Sequence, residues 1–183
     1  MAEVTDTTRS FRFQQSQLFL QAWLSGAELE RTRLKTDEPW WQADATFFVY
    51  SLRNLLRAAQ LAAECASDAS VAGDIQRHIH AFEESLPRLV DLRDVLEHFD
   101  DYLQMKGKLQ HPETPPRSRE PDAAIDPWEE KRKRRAPPGS FGFWAARQND
   151  GDLLFGVGEL ELRIDPAIEA ANKMVAAILK HTP

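Results

Sequence analysis

Arg93, Asp94, Glu97, His98 and Asp101 lie close together in the chain, and these residue types can hold and cleave a phosphodiester. Metal-independent cleavage of RNA has three requirements. The 2′-hydroxyl must lose its proton, the charged phosphorane must be stabilised, and the leaving oxygen must be protonated. Histidine exchanges a proton near neutral pH, which suits His98 to the transfer steps. Arginine stays charged and presents a fork of donors that matches phosphate oxygens, which suits Arg93 to the scissile phosphate. Asp94, Glu97 and Asp101 would orient the two. The plainer alternative is that Arg93 and Glu97, spaced i,i+4, form an ordinary helical ion pair beside a surface histidine.

The surrounding helix is easy to read. Leu89, Leu92, Leu96, Phe99 and Leu103 recur in steps of three and four, predicting one core-facing stripe on a helix that ends near Gly107. At roughly 100° per residue, Arg93 and His98 are expected about 140° apart, flanking the polar face. Val90, Val95 and Tyr102 edge that face, which therefore suits a site completed by a second subunit.

Arg-Asp-x-x-x-His on a late helix of an all-α unit resembles the R-x(4–6)-H motif of HEPN domains. The resemblance implies an α-helical homodimer, and an endoribonuclease or RNA-binding protein of the toxin–antitoxin, stress or defence kind. In such a dimer Arg93 and His98 of both copies would meet in one groove. An antitoxin or another protein partner would accompany it. HEPN toxins controlled by a nucleotidyltransferase carry tyrosine two residues after the histidine. Asp100 stands there in this chain, so the resemblance does not extend to that control.

Elsewhere the chain has no Cys/His cluster, glycine-rich phosphate loop or Gly-x-Ser-x-Gly turn, so neither a metal nor a cofactor is expected. His78 and His80 fall on nearly opposite sides of a helix, a poor spacing for one metal. The single cysteine, Cys65, excludes an intramolecular disulfide framework and is read as a small buried side chain in a reducing cytoplasm. A mean hydropathy of -0.51, no apolar run of membrane-spanning length and no secretory signal predict a cytoplasmic protein without membrane contact. The net charge of -6 argues against coating nucleic acid over the whole surface. Positive charge is concentrated in Lys131, Arg132, Lys133, Arg134 and Arg135, which would guide RNA, with Trp128 placed to stack on a base. As a solvated loop, the same run has no partner.

These features predict a mainly α fold: a four-helix, HEPN-like bundle over residues 1–107, then a C-terminal β-hairpin and a final helix. The first helix spans 11–35, with Phe11, Leu18, Phe19, Ala22 and Leu29 among its apolar positions and Gly26 marking a kink or break. Thr36-Asp37-Glu38-Pro39 starts the second, from Trp40 to Ala66, which is apolar nearly all round near Phe47, Phe48 and Val49 and so is the central helix. A third follows to Glu84, with Val71, Ile75, Ile79 and Phe82 inward. Residues 108–140 are rich in proline and charge and are read as a long loop. Residues 141–183 form the hairpin, turning at Gln148-Asn149-Asp150-Gly151, and a helix capped by Asp165-Pro166, both packing on the bundle as one domain. Gly156 and Gly158 share a face and make room for a ring such as Trp144. The runner-up function is a non-catalytic helical protein-interaction module that binds a partner through the hairpin and basic loop.

Overall fold

A computed structural model describes residues 6–36, 40–98, 101, 142–147 and 151–181. The described residues are mainly helical, with one small antiparallel sheet and a final helix. They fall into two compact units, residues 1–86 with 165–183, and residues 87–164.

In the first unit, α1 (Asp6–Leu34) packs along α2 (Trp41–Cys65), which also packs on α3 (Ala69–Ser85). The central role expected of α2 holds. Ala45, Phe48, Val49, Leu52, Leu55, Leu56, Ala59 and Ala62 are all buried, as is Cys65. Asp68 caps α3 by accepting a hydrogen bond from the Ser70 backbone N–H at 2.5 Å. Ile75, Ile79 and Phe82 of α3 point inward as their spacing predicts.

The first helix differs from expectation in two ways. It runs unbroken through Gly26, whose missing Cβ serves a close approach instead: an added one would sit 3.2 Å from Ser51 Oγ on α2. Its buried positions are Phe13, Ser16, Leu20, Ala27, Glu30 and Leu34, whereas Phe11, Leu18, Phe19 and Leu29 are exposed. Both sets recur at helical spacing, so periodicity alone cannot choose between them.

The fourth helix of this unit is the last in the chain, the segment Ile164–Ile178, called α5. Asp165 in its first turn pairs with Arg31 Nε at 2.5 Å and Lys35 Nζ at 2.8 Å. Gln17 Nε2 donates to the backbone oxygen of His181 at 2.8 Å, and the His181 ring meets Asp74 at 2.9 Å. Glu28 accepts from Asn172 at 3.3 Å. Ile168, Ala171, Met174, Val175 and Ile178 supply its buried face.

The second unit joins α4 (Leu89–Glu97) to strands β1 (Phe143–Arg147), β2 (Leu153–Val157) and β3 (Leu160–Arg163), in the order β1-β2-β3. The expected hairpin is present, with Arg147 opposite Leu153, and it continues into a third strand. The apolar run 152–162 is therefore two strands, split at Gly158-Glu159, where Gly158 takes a φ of 59° and Val157 pairs with Leu160. Helix α4 packs on β2 and β3. It is short beside α1 and α2, and its apolar side meets the sheet with Leu89, Leu92, Val95 and Leu96 buried. Val95 thus belongs to the core rather than to the edge of the polar face.

Between β1 and β2, Trp144 lies directly opposite Gly156. A Cβ on Gly156 would overlap the indole ring, and the ring N–H donates to the Gly158 carbonyl at 2.9 Å. The space left by Gly156 is filled by Trp144, as the spacing of the glycines predicts.

Candidate functional site

Helix α4 ends at Glu97, not near Gly107, and His98 is its C-cap with φ -118° and ψ 33°. His98 is a weaker helix former than Leu96 or Glu97, which gives the stop a local cause. His98 closes the last turn, its backbone N–H still bonded to Asp94 four residues back, so Arg93 lies within the helix and His98 at its end. Phe99, Asp100 and Tyr102 lie outside the described residues, as do Lys131, Arg132, Lys133, Arg134, Arg135 and Trp128.

Arg93 is held by its neighbours. It donates to Asp94 Oδ1 at 3.0 Å and pairs with Glu97, and its side chain is only 19% exposed. The i,i+4 ion pair foreseen as the plain alternative is thus present. Two carboxylates balance one guanidinium, so a phosphate must displace them before it can use the arginine's fork. The His98 backbone N–H donates to the Asp94 carbonyl at 3.1 Å. Its side chain is exposed and has no hydrogen bond or ion pair among the described residues. Asp101 is helical and exposed, and the Arg93 guanidinium is paired with Asp94 and Glu97 instead. Structure therefore joins Asp94 and Glu97 to Arg93, and leaves His98 beside them at the helix end.

Of the other histidines, His78 and His181 both approach Asp74, and His80 stands apart from them. His80 pairs with Glu84 at 3.1 Å, while His78 comes within 4.0 Å of Asp74. Among the described residues there is no cluster of three or more side chains able to hold a metal ion. No helix among them is long and apolar enough to cross a membrane.

Glu30 and Asp44, both buried, form an acidic pair beside Arg33, with Arg33 Nη1 3.2 Å from Glu30 and 4.0 Å from Asp44. Burial pushes the Glu30 carboxyl above its ordinary range. The Asp44 hydrogen bond and charge act the same way, against the opposing pull of Arg33. A carboxyl raised in the folded state gives stability that is full below its unfolded pKa and is lost as pH rises through the folded value. Glu30→Gln should therefore raise the melting temperature at pH 7, by on the order of 2 °C. That advantage should vanish as the pH falls toward roughly 4.3, the ordinary glutamate value. Melting curves across this range test the point. A glutamine variant less stable at pH 7 would mean that the Arg33 pair outweighs burial.

The sequence reading missed a surface on α1. Phe11, Leu18, Phe19, Trp23 and Leu29 are all exposed, and the fifteen residues Phe13–Ala27 contain no Asp, Glu, Lys or Arg. In a chain with 28% charged residues, such a stretch on a solvent-facing helix is out of character. Taking aromatic side chains at about 150–250 Å² each, these five expose on the order of 500 Å². That is as large as the largest apolar patch on an ordinary monomer, and such patches mark interaction sites. The available signal was the absence of charge, not the spacing of apolar residues. No protein-family model, curated protein or solved structure matches the chain.

Proposed function

We propose that this chain is a helical protein-interaction module whose working surface is the outer face of α1. The observation that carries the reading is the charge-free segment Phe13–Ala27, with Leu18, Phe19 and Trp23 exposed on it. Cores of protein interfaces are depleted in charge and enriched in aromatic residues, whereas nucleic-acid surfaces are rich in Lys and Arg. Complexes isolated from cells under mild conditions should exceed the 20.9 kDa of one chain and fall to that mass in Leu18→Glu/Leu29→Glu. Both variants are at exposed positions, so the fold should persist. Wild type running at single-chain mass would refute the reading.

A second reading keeps the HEPN resemblance: metal-independent ribonuclease chemistry by Arg93 and His98. Its support is the exposed His98 at the end of the helix that holds Arg93 between Asp94 and Glu97. Under it, purified wild type cleaves a mixed RNA pool in EDTA, and folded His98→Ala loses about 10²–10⁴-fold, the worth of a general acid or base. Equal cleavage by both proteins, or none by either, would remove His98 from any catalytic role.

A further inference from the structure

We infer that the partner of the α1 face is a second copy of this chain, packed through α1 in an antiparallel, two-fold arrangement. This deepens the interaction reading and depends on it.

Phe11, Gln15, Leu18, Ala22, Ser25 and Leu29 follow one another in steps of four, three, four, three and four. At roughly 100° per residue they fall within about 80° of one another, forming the seam of a helix pair. The opposite side of α1 is already occupied: Phe13, Leu20, Ala27 and Leu34 are buried, Gly26 approaches α2, and Gln17, Glu28 and Arg31 bond to residues of the C-terminal segment. The seam is therefore the outward face of a helix already fixed from behind. Docking there need not order a new element.

The chemistry of the seam is matched about its own midpoint. Reversing α1 about a point between Leu18 and Ala22 sets Phe11 opposite Leu29, Gln15 opposite Ser25, and Leu18 opposite Ala22. Apolar residues meet apolar ones, the two polar residues meet each other, and the large central side chain meets a small one. A closed two-fold interface requires this kind of self-complementarity. A parallel pairing would instead set each residue on its own copy, Leu18 on Leu18 and Ala22 on Ala22. That would crowd one level and leave a gap at the next.

Charge points the same way. The seam has no ionised group between Arg12 and Glu28, so two copies, each with a net charge of -6, meet there without bringing like charges into contact. The exposed side chains Phe11, Leu18, Phe19, Trp23 and Leu29 offer on the order of 500 Å² per copy, less than the roughly 800 Å² that a standard interface buries on each partner, so the pairing is a reversible one.

The test uses the purified full-length chain. Sedimentation should show a reversible dimer, and Leu18→Glu should raise its dissociation constant by about a hundredfold or more, a hot-spot loss. Its helical circular dichroism should be unchanged. For orientation, Phe11→Cys protein is mixed with Leu29→Cys protein under mild oxidation; the native Cys65 is buried and stays out of the reaction. Disulfides should form between the two variants and not within either alone. A monomeric wild type overturns the inference, as does a dimer indifferent to Leu18→Glu or one that cross-links only Phe11→Cys to itself. If complexes from cells contain a different protein while the purified chain is monomeric, the second-copy inference fails and the interaction reading survives.

Discussion

Gly156→Val is expected to destabilise the sheet-containing unit by about 2–3 kcal/mol, the upper part of the range for overpacking a closed site. Valine favours strands more than glycine does, so propensity alone predicts the opposite sign. Packing decides the matter here. Any Cβ at this position overlaps the ring of Trp144 and crowds the Leu160 carbonyl. The ring cannot simply swing aside without giving up its hydrogen bond to Gly158. Urea denaturation of Gly156→Val, Trp144→Ala and the double variant measures the conflict directly. Once the indole is gone, valine should cost at least about 1 kcal/mol less, a coupling within the range seen for contacting residues. Additive effects would mean that Trp144 is not what fills the space above Gly156.

The second large effect contrasts two neighbours on α2. Phe48 is fully buried, whereas Phe47 is 57% exposed. Phe48→Ala removes a large side chain from among the packed helices of the first unit and should cost about 3–5 kcal/mol. Against a typical total of about 5–15 kcal/mol, that loss alone brings the fold near its limit. Phe47→Ala should stay within about 0.5 kcal/mol, as surface substitutions do. Denaturant midpoints compare the two in one series. Equal losses would place α2 in a different rotation about its axis.

The helices that can be read from sequence are those with one apolar face. In α3, Ile75, Ile79 and Phe82 occupy a single stripe, and in α5 Ile168, Ala171, Val175 and Ile178 do the same. Such stripes leave one solution for burial. Helix α1 carries two, so the sequence names the helix without saying which side faces inward. The third strand was hidden because β2 is buried at every position, and Gly158-Glu159 interrupts an otherwise continuous run. A fully buried strand lacks the alternation that marks a half-buried one. At the site, the Arg93–Glu97 pair follows from i,i+4 spacing, which depends only on local geometry. The place of His98 depends on where α4 stops, and helix ends are set by small preferences among weak formers. Which helix would join α1, α2 and α3 was equally hidden. That choice lies between segments far apart in the chain.

That distance bears on the order in which the protein can be made. Residues 87–164 are contiguous, so everything their unit needs has been synthesised once Ile164 is added. The other unit begins first and finishes last: Gln17 meets His181 across a sequence separation of 164. At about 5–20 residues per second of synthesis, α1, α2 and α3 wait several seconds or more for α5. During that interval the apolar side that α5 will cover is open to chaperones, proteases and other nascent chains. Slowing synthesis anywhere within residues 87–164 therefore prolongs the exposure of a unit to which those residues do not belong.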